Sequence, residues 1–192
     1  MIILVRHGQT AANAEGRLQG RTDRDLSDEG QAQAAALAAA LAASGATRVM
    51  SSPLRRAAQT AAPIATALGL AVEVEPDLIE LDYGRWDDRP IAAIDPADWA
   101  RWRSDVAFAP PGGESLLTVH ARVERWLRTV LGSSDTIVAV SHVSPIKAAV
   151  CVALGVDDAA SWRMHLATAS ICRLARRQGG VVLASFNETL SR

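Results

Sequence analysis

The chain has 192 residues and a formal net charge of −1, with 49% hydrophobic and 21% charged residues. That length allows one domain with a proper core, and the composition excludes a disordered polymer and any global electrostatic pull toward nucleic acid or acidic membrane. The 2 cysteines, Cys151 and Cys172, are flanked by apolar residues and form no CxxC pair, so they read as core residues rather than as a disulfide or a zinc site.

Met1 leads directly into Ile2-Ile3-Leu4-Val5, without a basic leader or a cleavage signal, and no apolar stretch reaches membrane-spanning length. The cytosol is the expected compartment. Ile2 to Val5 reads as a strand buried on both faces of a parallel sheet. Polar and glycine-containing sequence follows through Arg24. Ser27 then caps a helix that begins with Asp28 and Glu29, continues through alanines and leucines to about Ala43, and stops at Ser44-Gly45.

Thr47 to Met50 is the second expected strand. Ser52 as cap and Pro53 at the first helical position open the next helix, which runs to about Leu68 and ends at Gly69. Val72 to Val74 is a third strand. The stretch 76–113 carries Trp86, Trp99, Trp102 and many charges, and reads as an irregular, lid-like excursion of loops and short helices. A helix is expected from Ser115 to Leu131, a strand from Thr136 to Val140, and a helix from Pro145 to Leu154 ended by Gly155. Ser170 to Leu174 and Val181 to Phe186 are closing strands around Gln178-Gly179-Gly180. The alternation argues for one α/β domain over residues 1–192: a three-layer α/β/α arrangement with a mostly parallel central sheet.

Arg6-His7-Gly8 ends the first strand and Ser141-His142 ends another. Ligands of parallel sheets bind outside the carboxyl ends of the strands. Two histidines there, with arginines at other strand-to-loop junctions, form a candidate positive pocket in a chain of near-zero net charge.

These residues also carry a resemblance. Leu4-Val5-Arg6-His7-Gly8-Gln9-Thr10 resembles the signature of the histidine phosphatase superfamily, the phosphoglycerate mutase-like proteins. Asn13 matches an asparagine of that family. Gln19-Gly20-Arg21-Thr22-Asp23, Ser51-Ser52-Pro53-Leu54-Arg55-Arg56-Ala57, Glu80-Leu81-Asp82-Tyr83-Gly84-Arg85-Trp86, Pro111-Gly112-Gly113-Glu114-Ser115 and Ser141-His142 resemble further blocks, in the family's order and across nearly the whole chain.

The resemblance implies a phosphatase in which His7 becomes phosphohistidine. Arg6, Arg55 and His142 would bind the phosphoryl group, and Glu80 would be the acid, with Asp82 its competitor. Guanidinium suits the task because it is always charged and presents a fork that matches phosphate. Asn13, Gln19, Thr22 and Val143 are expected to line the phosphate or substrate site, helped by backbone N–H groups near Ser144-Pro145. His120 is expected to be structural. His165 could face the pocket, and the three tryptophans could wall it, though both fit local packing as well.

No cofactor and no metal are expected. The expected partner is a small-molecule phosphate ester, with no nucleic acid and no membrane. Two features depart from the common family pattern. Ser-His-Val-Ser-Pro-Ile-Lys at 141–147 resembles the α-ribazole phosphatase branch and related acid phosphatases, and Trp86-Asp87-Asp88 replaces Trp-Glu-Gly. Two rivals stand beside a phosphatase: a phosphoglycerate mutase-type transferase, and a low-turnover domain that binds phosphorylated partners.

Overall fold

The computed structural model describes residues 1–190. In chain order it forms β1 (Ile2–Arg6), α1 (Ala11–Ala14), α2 (Asp28–Leu41), β2 (Arg48–Ser51), α3 (Arg55–Leu68), β3 (Val72–Val74), α4 (Pro96–Trp102), α5 (Leu116–Leu131), β4 (Ile137–Ser141), α6 (Val143–Leu154), β5 (Ile171–Arg177) and β6 (Gly180–Glu188). The strands make one six-stranded sheet in the order β3-β2-β4-β1-β5-β6. β1, β2, β3 and β4 are mutually parallel, and β5 and β6 are antiparallel additions.

The two central strands are buried on both faces because their sequences are apolar at every position but the last, Arg6 in β1 and Ser141 in β4. Ile2 and Leu4 join one core, which also takes Val123 and Leu127 of α5 and Ile146 of α6. Ile3 and Val5 face the other core, with Leu37 and Leu41 of α2 and Ala57, Ala61 and Ile64 of α3. Helices therefore cover both sides of the sheet, as the sequence pattern required. No helix among the described residues is long and apolar enough to cross a membrane.

Two helix starts differ from expectation. α3 begins at Arg55 with Leu54 at the N-cap, two residues beyond the Pro53 start. Ser52 does not cap it. Its hydroxyl accepts from Leu54 N and lies 2.7 Å from His142 Nε2. α6 begins at Val143 with His142 at its N-cap. Pro145 thus sits inside the first turn, where a missing N–H costs no intrahelical bond. The loop after β1 contains an unanticipated short helix, α1, capped reciprocally by Thr10 and Asn13.

Residues 76–113 form three 3-10 turns and α4. Their aromatic side chains pack on one another. Trp99 stacks on Trp102 at 4.9 Å, and Trp102 meets Trp162 edge-on at 4.1 Å. Trp86 and Trp102 are buried, so the aromatic residues here are local core.

The segment that follows β1 rests directly on α2. A Cβ on Gly30 would come 2.0 Å from Gln9 O, and one on Gly8 would come 2.5 Å from Gly30 O. Backbone cannot yield cheaply at such distances. Gly30→Ala is therefore expected to lower the unfolding free energy by about 2–4 kcal/mol, read from denaturant midpoints. An unchanged midpoint would mean that the loop moves aside at no cost.

Candidate active site

β1 and β4 are neighbours in register, with Arg6 opposite Ser141. The residues that follow them, His7 and His142, are consequently side by side, with ring centroids 5.0 Å apart and planes tilted by 59°. Both rings are buried.

His7 is held in one tautomer. Its Nδ1 lies 2.7 Å from Gly8 O. A carbonyl can only accept, so Nδ1 carries the proton. Its Nε2 receives the Nε–H of Arg56 at 3.3 Å, which requires a lone pair on Nε2. Burial is the largest influence on its pKa, and the Arg56 and Arg6 charges add to it, holding the imidazole well below the usual 6.5. His142 is depressed in the same direction, by burial first and then by Arg56, His7 and Arg6. His142 Nε2 lies 2.7 Å from Ser52 Oγ, which also accepts from Leu54 N. His142 Nδ1 is buried without a hydrogen-bond partner.

Arg56, not Arg55, is the second arginine of this cluster. Arg56 is completely buried. Its Nη1 donates to Thr22 O at 3.1 Å and its Nη2 to Gly20 O at 2.6 Å. Arg55 points outward, exposed, and pairs with Asp25 at 2.7 Å. The cause is helical phase. The buried stripe of α3 runs through Arg56, Ala57, Thr60, Ala61 and Ile64, and a residue one step before that stripe faces water. That phase was available in the sequence, where the apolar spacing of Ala57, Ala61 and Ile64 selects Arg56.

Arg6 donates from Nη1 to Leu166 O at 2.6 Å, and its Nε has no partner. Burial lowers its pKa to about 10 against the opposing charge of Glu80, and it remains a cation at neutral pH. Glu80 is buried on the N-terminus of α6. Its Oε1 accepts from Leu81 N at 2.7 Å and Ser144 N at 3.2 Å, and its Oε2 from Val143 N at 3.1 Å. A carboxylate offers about four acceptor sites, so one remains on Oε2. Asp82 is engaged elsewhere, accepting from Gly84 N at 2.8 Å and pairing with Arg21 at 3.3 Å.

The other expected lining residues divide. Asn13 Oδ1 is used by Thr10 in the capping box. Gln19 Oε1 accepts from Thr10 Oγ1 at 2.7 Å, while its buried Nε2 has no partner. Thr22 is structural: its N–H and hydroxyl both go to Asp87 Oδ2, at 2.7 and 2.9 Å. The N–H groups of Val143 and Ser144, expected to meet phosphate, are taken by Glu80. His165 is exposed. His120 serves α5 packing, with Nδ1 2.6 Å from Asp158 Oδ1.

Asp87 escaped the sequence reading. Its Oδ1 accepts from Gly20 N at 2.7 Å, and with the Thr22 contacts it ties down the two backbone units whose carbonyls hold Arg56. No group of three or more His, Cys, Asp or Glu among the described residues is arranged to hold a metal.

The family model described as histidine phosphatase superfamily (branch 1) matches residues 2–189. The chain belongs to that family. It is 37% identical over 196 residues to phosphoserine phosphatase 1 of Hydrogenobacter thermophilus, covering 98% of this chain and 92% of the relative. It is 40% identical over 176 residues to the bifunctional protein Rv2228c of Mycobacterium tuberculosis, covering 88% of this chain and 48% of that protein. The chain thus spans about half the length of the first curated relatives it matches. The mycobacterial glucosyl-3-phosphoglycerate phosphatase Rv2419c, solved with VO3, superposes with a TM-score of 0.91 at 30% identity, covering 98% of this chain and 99% of that one.

The two adjacent arginines make opposite predictions. Arg56→Ala should weaken orthovanadate binding at least about 30-fold, as removal of a buried charged donor costs about 2 kcal/mol or more. Arg55→Ala should change it by less than about twofold, the usual scale of a surface ion pair. Titration calorimetry on the two variants distinguishes them, and the reverse order would return Arg55 to the site.

Proposed function

We propose that this chain is a phosphomonoesterase that hydrolyses a small phosphorylated metabolite through a phosphohistidine on His7. The observation that carries this reading is the state of His7: a buried imidazole with its proton on Nδ1 and an unprotonated Nε2 whose lone pair meets only the Nε–H of Arg56, set between two arginines. Covalent catalysis then divides the hydrolysis into two easier displacements.

In the first, His7 Nε2 forms a bond to phosphorus and the ester P–O bond breaks. The leaving oxygen takes a proton from Glu80. In the second, water gives a proton to Glu80 and attacks phosphorus, the P–N bond breaks, and orthophosphate leaves. Arg6, Arg56 and the His142 ring stabilise the charge on the transferring oxygens, where preorganised donors in a dry site contribute most. Arg56 turns its Nε–H from His7 Nε2 to the phosphoryl group as the new bond forms. Asn13 and Gln19 offer amide donors at the edge of the same site. Glu80 also separates this reading from that of a phosphate-binding domain, which needs no buried acid beside its phosphate donors.

The phosphatases named among the relatives and solved neighbours support the reaction class. The Ser141–Lys147 stretch resembles the α-ribazole phosphatase branch, so α-ribazole phosphate is one named substrate to test, with broad acid phosphatase activity as the wider alternative.

Hydrolysis of p-nitrophenyl phosphate in EDTA should proceed with the wild-type chain and fall at least about 1,000-fold in His7→Ala, the scale expected when a nucleophile is lost. Equal rates in the two proteins would remove His7 as the nucleophile. The pH profile carries a second expectation. A base whose pKa is lowered stays unprotonated to lower pH, so the acid limb of kcat/KM should lie below pH 6.5. Stability should move the other way. The unfolded imidazoles gain protons near 6.5 while the folded ones do not, so the contribution of His7 and His142 is complete above that pH and is lost as pH falls below it. Melting temperatures across that range test the sign.

A further inference from the structure

Arg6 ends β1, and its guanidinium is anchored by a backbone carbonyl. Nη1 donates to Leu166 O at 2.6 Å, while the buried Nε has no partner and is left for a ligand. The direction of that carbonyl therefore sets where the rest of the guanidinium points. Leu166 lies in the irregular loop just ahead of β5, so the carbonyl is not held by a helix or a strand ladder. Something else must fix it.

The same peptide unit carries the N–H of Ala167, and this N–H donates to Asn187 Oδ1 at 2.7 Å. A trans peptide is planar, with its C=O and N–H on opposite edges, so holding the N–H also holds the carbonyl. Donation at one edge polarises the unit and strengthens the acceptor at the other. Asn187 reaches this place through an irregularity in β6. Between the pairs Ile171↔Glu188 and Arg173↔Ser185, β5 has only Cys172, whereas β6 has both Phe186 and Asn187. That is a β-bulge, a device that re-aims a side chain and is common beside active sites. Asn187 has φ 56 there, in the left-handed region that Asn tolerates better than most residues. Its N–H meets Cys172 Sγ at 3.4 Å in place of a ladder carbonyl. The other end of the loop is fixed on the same strand end. Ala169, left-handed at φ 55, donates its N–H to His7 O at 3.1 Å, and Ser170 O accepts from Arg6 N at 3.0 Å. Left-handed non-glycine residues persist where the surroundings impose them, and both of these lie on the path to Arg6 and His7.

We propose that Asn187 is a positioning residue of the phosphoryl site: its side-chain oxygen orients the Leu166–Ala167 peptide, whose carbonyl aims Arg6 at the transferring group. This rests on the phosphomonoesterase reading for the role of Arg6 as a phosphate ligand. Asn187 acts through Arg6 and not on the phosphate itself.

The test is a double-mutant cycle on orthovanadate binding, read by calorimetry, which requires no turnover. Asn187→Gly removes the oxygen and keeps the left-handed backbone without strain. In the wild-type background it should weaken orthovanadate about tenfold, the scale of a misaimed ligand. In an Arg6→Ala background the same substitution should change affinity by less than about twofold, because the group it positions is gone. Asn187→Asp, which keeps an acceptor and tolerates the same backbone, should bind within about threefold of wild type. A merely structural role would lower the melting temperature and weaken binding by the same factor in both backgrounds. That equality, or unchanged affinity in Asn187→Gly, overturns the proposal. Coupling between Asn187 and Arg6 in a chain that does not hydrolyse p-nitrophenyl phosphate would instead count against the proposed reaction and leave the positioning role standing.

Discussion

The buried guanidinium of Arg56 organises the site. It is fully buried, and each of its nitrogens has an acceptor: Nη1 and Nη2 take the carbonyls of Thr22 and Gly20, and Nε takes His7 Nε2. A buried charge is tolerable only when its donors are satisfied, so the loop that follows α1 must present its carbonyls in a fixed place. Asp87 enforces this by accepting the N–H groups of Gly20 and Thr22. The chain of dependence therefore runs from a carboxylate beside a 3-10 turn, through a loop backbone, to an arginine and then to the His7 ring. The Asp87 carboxylate reaches both N–H groups with separate oxygens, Oδ1 for Gly20 and Oδ2 for Thr22.

The second half of the site is held by a different device. The N-terminus of α6 directs its first N–H groups at Glu80 instead of leaving them for a ligand. This uses the positive end of the helix to hold a carboxylate and fixes the acid beside the strand end that carries His142. The two strands supply the histidines at a common height because β1 and β4 pair in parallel register. Loops supply the groups that tune and position those histidines. Precision thus comes from the central strands, and adaptability from segments that pack later on the sheet.

Most of this was legible in the sequence, with losses where only tertiary contact decides. Apolar runs gave the central strands, and Gly69 and Gly155 ended their helices as left-handed caps. The order of motifs located Arg6, His7, Glu80 and His142, which the fold brings together. A motif block points to Arg55 and Arg56 alike, and helical phase selects Arg56. Ser52 looked like a helix cap by its position before proline, because no local rule reveals that His142, 90 residues away, lies against its hydroxyl. Thr22 looked like a substrate contact, and its polar atoms are spent on Asp87 across 65 residues. In each case the local sequence identified a polar group correctly, and its partner was fixed by distant chain.

The balance of charge inside the site explains why a nearly neutral protein suits an anionic substrate. Arg6 and Arg56 are cations, Glu80 is the one acid among them, and both histidines are held neutral by burial and by those arginines. Protonating either ring would add charge to a pocket that already carries an excess of positive charge in a low-dielectric setting, where such repulsion is strong. The same excess that keeps His7 a nucleophile attracts the phosphate it attacks. Removing an arginine would therefore act twice, by taking away a phosphate ligand and by easing protonation of the nucleophile. The rest of the chain has no such excess, because acids and bases are nearly equal in number, 21 against 20, so the positive field is concentrated where the strand ends meet.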